Sequence, residues 1–404
     1  MSLNNTPSSE RVHIGLFGRR NSGKSSLINA MTGQELSIVS DIAGTTTDPV
    51  LKSMELLPLG PVVIIDTPGL DDIGDLGELR VRKSYQMLNK TDIALLVLDS
   101  SVPLTKEDTL ILKKIQDKKI PYLVVKNKMD LPSCEELDLQ LSKLNLTDQD
   151  IMEVSAQKKM GIHALNERIT GLVPKEDPRK KIVGDLLHPD DLVVLVVPID
   201  SSAPKGRLIL PQQQTIRDIL DSGAVSVISG VDNLPKTLSS LGKEPALVIT
   251  DSQAFGKVAK LVPSNLPLTS FSILFARYKG SLQITVNGAK ALDSVKEGDR
   301  ILISEGCTHH RQCEDIGTVK LPTWIRDYTG VEPEFCFTSG GDFPLDLSSY
   351  KMIIHCGGCT LNEREMKFRL KCAMDQNIPM TNYGIAIAYI NGILKRSISP
   401  LGLE

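Results

Sequence analysis

The stretch that most narrows what this chain can fold into is Gly18, Arg19, Arg20, Asn21, Ser22, Gly23, Lys24, Ser25. It follows a short apolar run, Val12 to Phe17, and precedes a helical stripe that begins at Leu27, Ile28 and Met31. Strand, glycine loop and helix in that order make a phosphate-binding loop. The glycines let backbone N–H groups curl around an anion, and the helix N-terminus adds its dipole. In such a loop Lys24 reaches the β- and γ-phosphates and Ser25 ligates Mg²⁺, while Gly18, Asn21, Ser22, Gly23 and Ser26 line the rest.

Three further segments specify the base. Val62 to Ile65 reads as a buried strand ending in Asp66, Thr67, Pro68, Gly69. Asp66 can hold Mg²⁺ through water, and the Gly69 amide can sense a γ-phosphate. Tyr122 to Val125 is another strand, followed by Asn127, Lys128 and Asp130. A carboxylate at Asp130 can accept both N1–H and N2–H of guanine, a donor pair that adenine lacks, and buried recognition of this kind discriminates by roughly 10⁴-fold. Ile151 to Val154 then leads into Ser155 and Ala156, which support the base. Strands alternating with helical stripes at Val81, Tyr85, Leu88 and at Ile111, Leu112, Ile115 predict an α/β domain over 11–172 with a doubly wound, mostly parallel sheet. Thr105 with Asp108 makes a capping box for the second stripe.

A chain of 404 residues is too long for one ordinary core, so further domains must follow. The first ten residues read as a polar, disordered tail without the apolar stretch of a signal peptide. No run is long enough to span a membrane. A net charge of −3 gives no general attraction to nucleic acid. Seven cysteines, an odd number, argue against a disulfide framework and for a reducing, cytoplasmic setting. No internal repeat stands out. Residues 173–181 form a charged, proline-bearing linker. Residues 182–265 read as a small βαβαβ domain without a catalytic cluster. Its three strands leave edges and faces uncovered, which points to a homodimer or, failing that, to docking on the C-terminal domain. Lys205 and Arg207 form a basic loop there, read as solvated. Residues 266–404 read as a second α/β domain, with Phe271 to Phe275 as a strand.

That last domain carries the remaining chemistry. Cys307 and His309 follow the strand Ile301 to Ile303, and His355, Cys356 and Cys359 follow the strand ending at Ile354. Both groups fall at the carboxyl ends of strands, which gather at one edge of an open parallel sheet. Three thiolates with histidines nearby suit either a closed zinc site or a [4Fe–4S] cluster with one open iron. Gly357 and Gly358 favour close backbone approach to sulfur. Cys134, Cys313, Cys336 and Cys372 read as ordinary thiols, and His310 competes with His309 for the site.

The G-domain motifs resemble those of the MnmE- and Era-like GTPases. By that resemblance Ala43 to Asp48 is switch I, with Thr46 sensing Mg²⁺. Asn21 holds a potassium ion in place of an arginine finger, and Glu78 positions water, since Leu70 cannot do so as a glutamine would. Hydrolysis is then slow. Over the whole chain, this domain followed by an α/β middle domain and the Cys307/His309 and His355/Cys356/Cys359 pair resembles the HydF family, the [FeFe]-hydrogenase maturation GTPases. The resemblance implies a homodimeric scaffold with a dimerisation domain over 182–265 and a cluster domain over 266–404. Such a scaffold holds a [4Fe–4S] cluster, carries a transient diiron precursor made with radical-SAM maturases, and delivers it to apo-hydrogenase. The competing reading is a GTPase of tRNA modification or ribosome assembly with a structural zinc site. Against it stand the charge and the lack of an RNA-binding module.

Overall fold

The computed structural model describes residues 7–33, 49–70, 81, 83–144, 146–173, 180–199, 208–306 and 315–403. Two compact units divide the chain, Met1–Lys175 and Glu176–Glu404.

In the first unit β1 (Val12–Phe17), β3 (Gly60–Asp66), β4 (Ile93–Asp99), β5 (Tyr122–Asn127) and β6 (Ile151–Glu153) run parallel, and β2 (Val50–Leu56) pairs antiparallel with β3. The sheet order is β2-β3-β1-β4-β5-β6. Strand β4 shows why the sheet is wound on both sides. Ile93, Leu95 and Val97 join a core with Leu27 and Ile28 of the helix Lys24–Thr32. Ala94, Leu96 and Leu98 join another with Ile111 and Leu112 of the helix Lys106–Asp117. A strand covered on both faces has to be apolar throughout. The capping box of Thr105 and Asp108 is formed. Ser8–Glu10 makes a turn of 3₁₀ helix ahead of β1, where a disordered tail was expected.

The second unit holds two four-stranded parallel sheets. One contains β7 (Leu192–Val196), β8 (Val225–Ser229), β9 (Leu247–Thr250) and β10 (Leu268–Ser270). The other contains β11 (Arg300–Ser304), β12 (Glu334–Thr338), β13 (Met352–His355) and β14 (Met380–Asn382). The middle sheet thus has a fourth strand, β10, and Phe271 to Phe275 is helical rather than extended. Those five residues begin the helix Phe271–Tyr278, capped by Ser270, whose hydroxyl accepts from Ile273 N at 3.3 Å. Four of the five, and Ala276 after them, are buried. A helix buried nearly all round loses the 3.6-residue period that would have identified it.

The two sheets also repeat one another. Their orders, β10-β9-β7-β8 and β12-β11-β13-β14, describe the same arrangement of first, second, third and fourth strand. Pro267, Thr269, Ile273, Ala276 and Gly280 recur at one constant offset as Pro379, Thr381, Ile385, Ala388 and Gly392. Ser270 and Asn382 cap the matching helices Phe271–Tyr278 and Tyr383–Ile390 in the same way. Before the second strand of each sheet lies a helix that opens Leu-Pro and contains Ile-Arg-Asp: Leu210, Pro211 with Ile216, Arg217, Asp218, then Leu321, Pro322 with Ile325, Arg326, Asp327. The repeat escapes a reading of the sequence because its matches are sparse and the intervening helices differ in length.

One core joins the two halves. Val194, Val196 and Phe255 pack in the same cluster as Ile301, Ile303, Ile354 and Tyr383. A face of the middle sheet that was expected to need a second copy is covered within the chain. The edge strand β8 still shows Val225 and Ile228, about half exposed.

Candidate nucleotide site and thiol loop

The glycine loop departs from β1 with backbone that only its residues tolerate well. Gly23 has φ +90°, and a Cβ there would lie 2.2 Å from Asn127 Nδ2. Gly18 has φ +148°, and a Cβ there would lie 2.3 Å from Val97 O. Asn21 is left-handed at φ 59° and exposed, a conformation asparagine accepts more readily than most residues. Lys24, buried, folds its ammonium onto Gly18 O at 2.9 Å and Arg19 O at 2.8 Å. Ser22 Oγ is buried without a partner among the described residues.

Ser25 Oγ donates to Asp66 Oδ2 at 3.1 Å, so the two Mg²⁺-binding side chains foreseen in the sequence meet. Burial pushes Asp66 above the ordinary carboxylate range against the pull of Lys24 and Ser25. A carboxylate kept dry in this way gains from a divalent cation. At the base end Asn127 ties three segments together. Its amide donates to Ser22 O at 3.1 Å and its Oδ1 accepts from Ala156 N at 3.0 Å. Ser155 Oγ donates to Asp130 Oδ1 at 2.5 Å, which holds Asp130 ionised below its usual range and aims the carboxylate. Lys128 Nζ lies 2.6 Å from Asp99 Oδ2. The set makes up the candidate site for a guanine nucleotide and Mg²⁺. Ser26 lies in the first turn of the helix Lys24–Thr32, and Gly69 follows β3. Thr46 and Glu78 lie outside the described residues.

In the second unit the thiol loop leaves β13 at His355. Cys356 and Cys359 are free thiols. The backbone N–H of Gly306 donates to Cys356 Sγ at 3.1 Å, and that of Gly358 at 3.4 Å. Gly358, at φ +62°, makes the turn that aims its amide at the sulfur. Gly306, the last described residue before Cys307, thus lies against the Cys356 loop at the same sheet edge. Cys307 and His309, with His310 and Cys313, lie outside the described residues, as do Lys205 and Arg207. Among the described residues no group of three ligating side chains forms.

Burial pushes the Cys356 thiol up to about 11, and the neighbouring Cys359 thiol adds to this; Cys359 is raised too, again by burial first. Thiols so placed become thiolates readily only with a cation beside them, and amide N–H donors onto sulfur are what thiolate-ligated centres use. The donor set therefore fits a metal–thiolate group. The His355 ring is fully buried, with Nε2 3.0 Å from Arg369 Nη1 and Nδ1 2.7 Å from Cys356 O. Both nitrogens are engaged, and burial with the Arg369 charge holds the ring neutral, its pKa down at about 3. In this arrangement His355 braces the loop, and it reaches a metal only if Arg369 withdraws.

A model of the hydrogen maturase F dimerization domain matches residues 182–280, and one of the hydrogen maturase F tetramerization domain matches residues 283–400. Together they take in more than half of the chain. The chain belongs to the hydrogen maturase F family. A model described as 50S ribosome-binding GTPase matches residues 13–128 ahead of them.

Curated relatives match the GTPase part of the chain. The tRNA modification GTPase MnmE of Desulforamulus reducens is 38% identical over 165 residues, 41% of this chain and 35% of its own length. That of Lachnoclostridium phytofermentans is 40% identical over 163 residues, 40% of this chain and 34% of its own length. The chain thus spans about a third of the length of these relatives. A variant of Aquifex aeolicus Era bound to GDP·AlF₄⁻ aligns with TM-score 0.37 and 20% identity, covering 57% of this chain and 98% of that chain.

Around the thiol loop lie three residues that no sequence motif marks. Arg369 at the i+4 position from Glu365 reads as a surface ion pair, yet it is wholly buried. Lys279, which carries no motif and follows the stretch read as a strand, is 5% exposed. Tyr383, buried, donates to Glu305 Oε1 at 3.1 Å beside the Gly306 turn. None carries a motif; only the apolar company of each in the helical stripe hints at burial.

Proposed function

We propose that this chain is a GTP-hydrolysing scaffold of [FeFe]-hydrogenase maturation. Cys307, Cys356 and Cys359 hold a [4Fe–4S] cluster there, with His309 as the further candidate ligand, while His355, held by Arg369, braces the loop. A cluster so held supplies one iron with an exchangeable position, suited to carrying a diiron precursor toward apo-hydrogenase. The observation that carries this reading is the Gly306 N–H to Cys356 Sγ contact at 3.1 Å, which brings the segment entering Cys307 to the Cys356 loop. The membership in the hydrogen maturase F family supports the maturation role and the radical-SAM maturases as partners.

The first unit hydrolyses GTP slowly in this reading. Ser25, Asp66 and Thr46 bind Mg²⁺, Lys24 neutralises phosphate charge, Asn21 holds K⁺, and Glu78 positions water. Nucleotide state times the association and release of partners. The names of the two matched domains support self-association, first as a dimer, and the half-exposed Val225 and Ile228 on the open edge β8 offer it a surface. No described helix is long and apolar enough to cross a membrane, in keeping with action in the cytoplasm.

The test is anaerobic iron and sulfide reconstitution, read by metal analysis and by EPR after reduction, on wild type and on Cys307→Ala, Cys356→Ala and Cys359→Ala. About four irons per chain and a reduced S = ½ signal, both lost in the variants, are expected. One tightly held zinc and no signal would favour the second reading, a tRNA-modifying GTPase with a structural zinc. The 38% identity to MnmE over the GTPase part motivates that alternative. Filter binding of tRNA with each nucleotide separates the two, and tRNA retention is not expected of the scaffold.

A further inference from the structure

The internal repeat sets the thiol loop against a built-in comparison. Val196 pairs with Thr250 in one sheet as Ser304 pairs with His355 in the other, so Thr250 and His355 are equivalent positions. Carried forward residue by residue, Asp251 stands where Cys356 stands, Ala254 where Cys359 stands, and Gly256 where Leu361 stands. In the first half the equivalent sheet edge carries no thiol, and β9 leads through the turn Ser252–Ala254 directly into the helix Phe255–Leu261.

Each segment is met by the end of a helix from the other half. Asn391, just past the helix Tyr383–Ile390, comes so close to Gly256 that a Cβ there would lie 2.8 Å from Asn391 Oδ1. Its equivalent in the first half, just past the helix Phe271–Tyr278, is Lys279. The Lys279 ammonium donates to Leu361 O at 2.6 Å and to Gly358 O. The two residues hold equivalent places under the repeat, a neutral amide packed on Gly256 of the helix Phe255–Leu261 in one half and a cation bonded to the thiol loop in the other.

A lysine this buried costs stability unless it meets negative charge. Burial brings its pKa down to about 8, with Cys359 and Cys356 as the main groups acting to hold it up. The other charges nearby are Glu363, which helps it, and Lys180, which opposes it and is itself paired with Glu363. Asn391 holds the corresponding place without a charge, its Nδ2 donating to Ile387 O of its own helix at 2.8 Å.

We propose that Lys279 is the fixed counter-charge of the Cys356/Cys359 metal centre, a positioning residue lent by the first half of the repeat to the site in the second. This rests on the reading of the loop as a metal–thiolate site. Its effect is to favour metal uptake by the thiolates and to favour the more negative, reduced state of a cluster. Partners around metal ligands of this kind are worth about 10- to 100-fold in metal affinity.

The experiment compares wild type, Lys279→Met and Lys279→Gln in the full chain, reconstituted anaerobically. Gln keeps a donor for the carbonyls and lacks the charge, so it separates counter-charge from bracing and tolerates the fold where Met does not. Folding is checked by circular dichroism. The readouts are the midpoint potential by EPR-monitored titration and the rate of iron loss to a chelator. Both variants are expected to titrate at more negative potential and to lose iron on the order of tenfold faster. An unchanged potential in Lys279→Gln overturns the proposal, whatever Lys279→Met does. If wild type takes up zinc and no cluster, the iron–sulfur reading fails and Lys279 is judged on zinc affinity by chelator competition. A zinc affinity weakened about tenfold in Lys279→Gln then sustains the counter-charge, and equal affinity overturns it.

Discussion

Arg369 Nη1 lies 3.0 Å from His355 Nε2, and both side chains are fully buried. A guanidinium only donates, so Nε2 accepts, the ring proton sits on Nδ1, and Nδ1 donates to Cys356 O. Glu365 Oε1 accepts from Arg369 Nε at 2.9 Å and Gly340 O accepts from Nη2, so one arginine pins the end of β13, the loop after β12 and the helix Glu363–Asp375.

Arg369→Met strands the Glu365 carboxylate and the His355 lone pair in a dry site. Removing one partner of a buried pair costs about 3–5 kcal/mol, and urea denaturation of the full chain should show a loss of that order. His355→Gln keeps polar atoms for Arg369 and Cys356 O and should retain the metal content of wild type. A well-folded His355→Gln protein that fails to bind metal would return the ring to the ligand set.

Asp130→Asn tests the base site. In the proposed site the carboxylate, aimed by Ser155, would accept two guanine N–H groups; an asparagine offers one donor and one acceptor, which matches the N1–H and C2 carbonyl of xanthine. Affinity for GDP should fall by about 10²- to 10⁴-fold while xanthosine diphosphate gains. Fluorescent-nucleotide competition reads this, and an unaltered preference for guanine would remove Asp130 from base recognition.

Gly23→Ala should uncouple the two ends of the nucleotide site. The new methyl meets Asn127 Nδ2, and the alanine must also hold φ +90°. Strain of about 1–3 kcal/mol that the empty loop sheds by relaxing and the nucleotide-bound loop must bear corresponds to roughly 10- to 100-fold weaker nucleotide binding, with little change in thermal stability without nucleotide. Calorimetric titration with GDP reads the loss.

The nucleotide site was legible because its motifs are local and its chemistry follows chain order. Each of Gly18 to Ser25, Asp66, Asn127 to Asp130 and Ser155 sits at the carboxyl end of a strand whose apolar run marks it. The thiol loop was half legible, since Cys356 and Cys359 announce themselves while the residues that shape their surroundings come from far along the chain. Lys279 ends a helix of the other half-repeat, and Arg369 looks like one of many exposed i,i+4 pairs. The helix Phe271–Tyr278 was misread because burial on nearly every side erases the amphipathic signal. Strands β12 and β14 passed unnoticed, β14 being three residues long and β12 half-buried with Glu334 exposed at its start.

Gly384→Val probes whether the repeat is one body. Gly384 stands at the position equivalent to Ser272, and the two meet where their helices cross. Gly384 N donates to Ser272 Oγ at 3.2 Å, and Asn382 Nδ2 donates to Ser272 O at 2.9 Å. Any Cβ at Gly384 would lie 2.6 Å from Ser272 Cβ and 2.9 Å from Ser252 Oγ, so a valine forces the halves apart. Overpacking of this kind costs about 1–3 kcal/mol. Two domains that merely touch would each keep their own stability, and only their docking would weaken. A shared core, with Val194 and Phe255 in the same cluster as Ile303 and Ile354, transmits the loss to both sheets. Hydrogen exchange should therefore report an equal drop in protection at the β9 amides of Val248 to Thr250 and the β13 amides of Ile353 to His355. Protection that falls in one sheet and holds in the other would mean that the halves fold separately, and that the thiol loop can be remodelled without disturbing the sheet beside it.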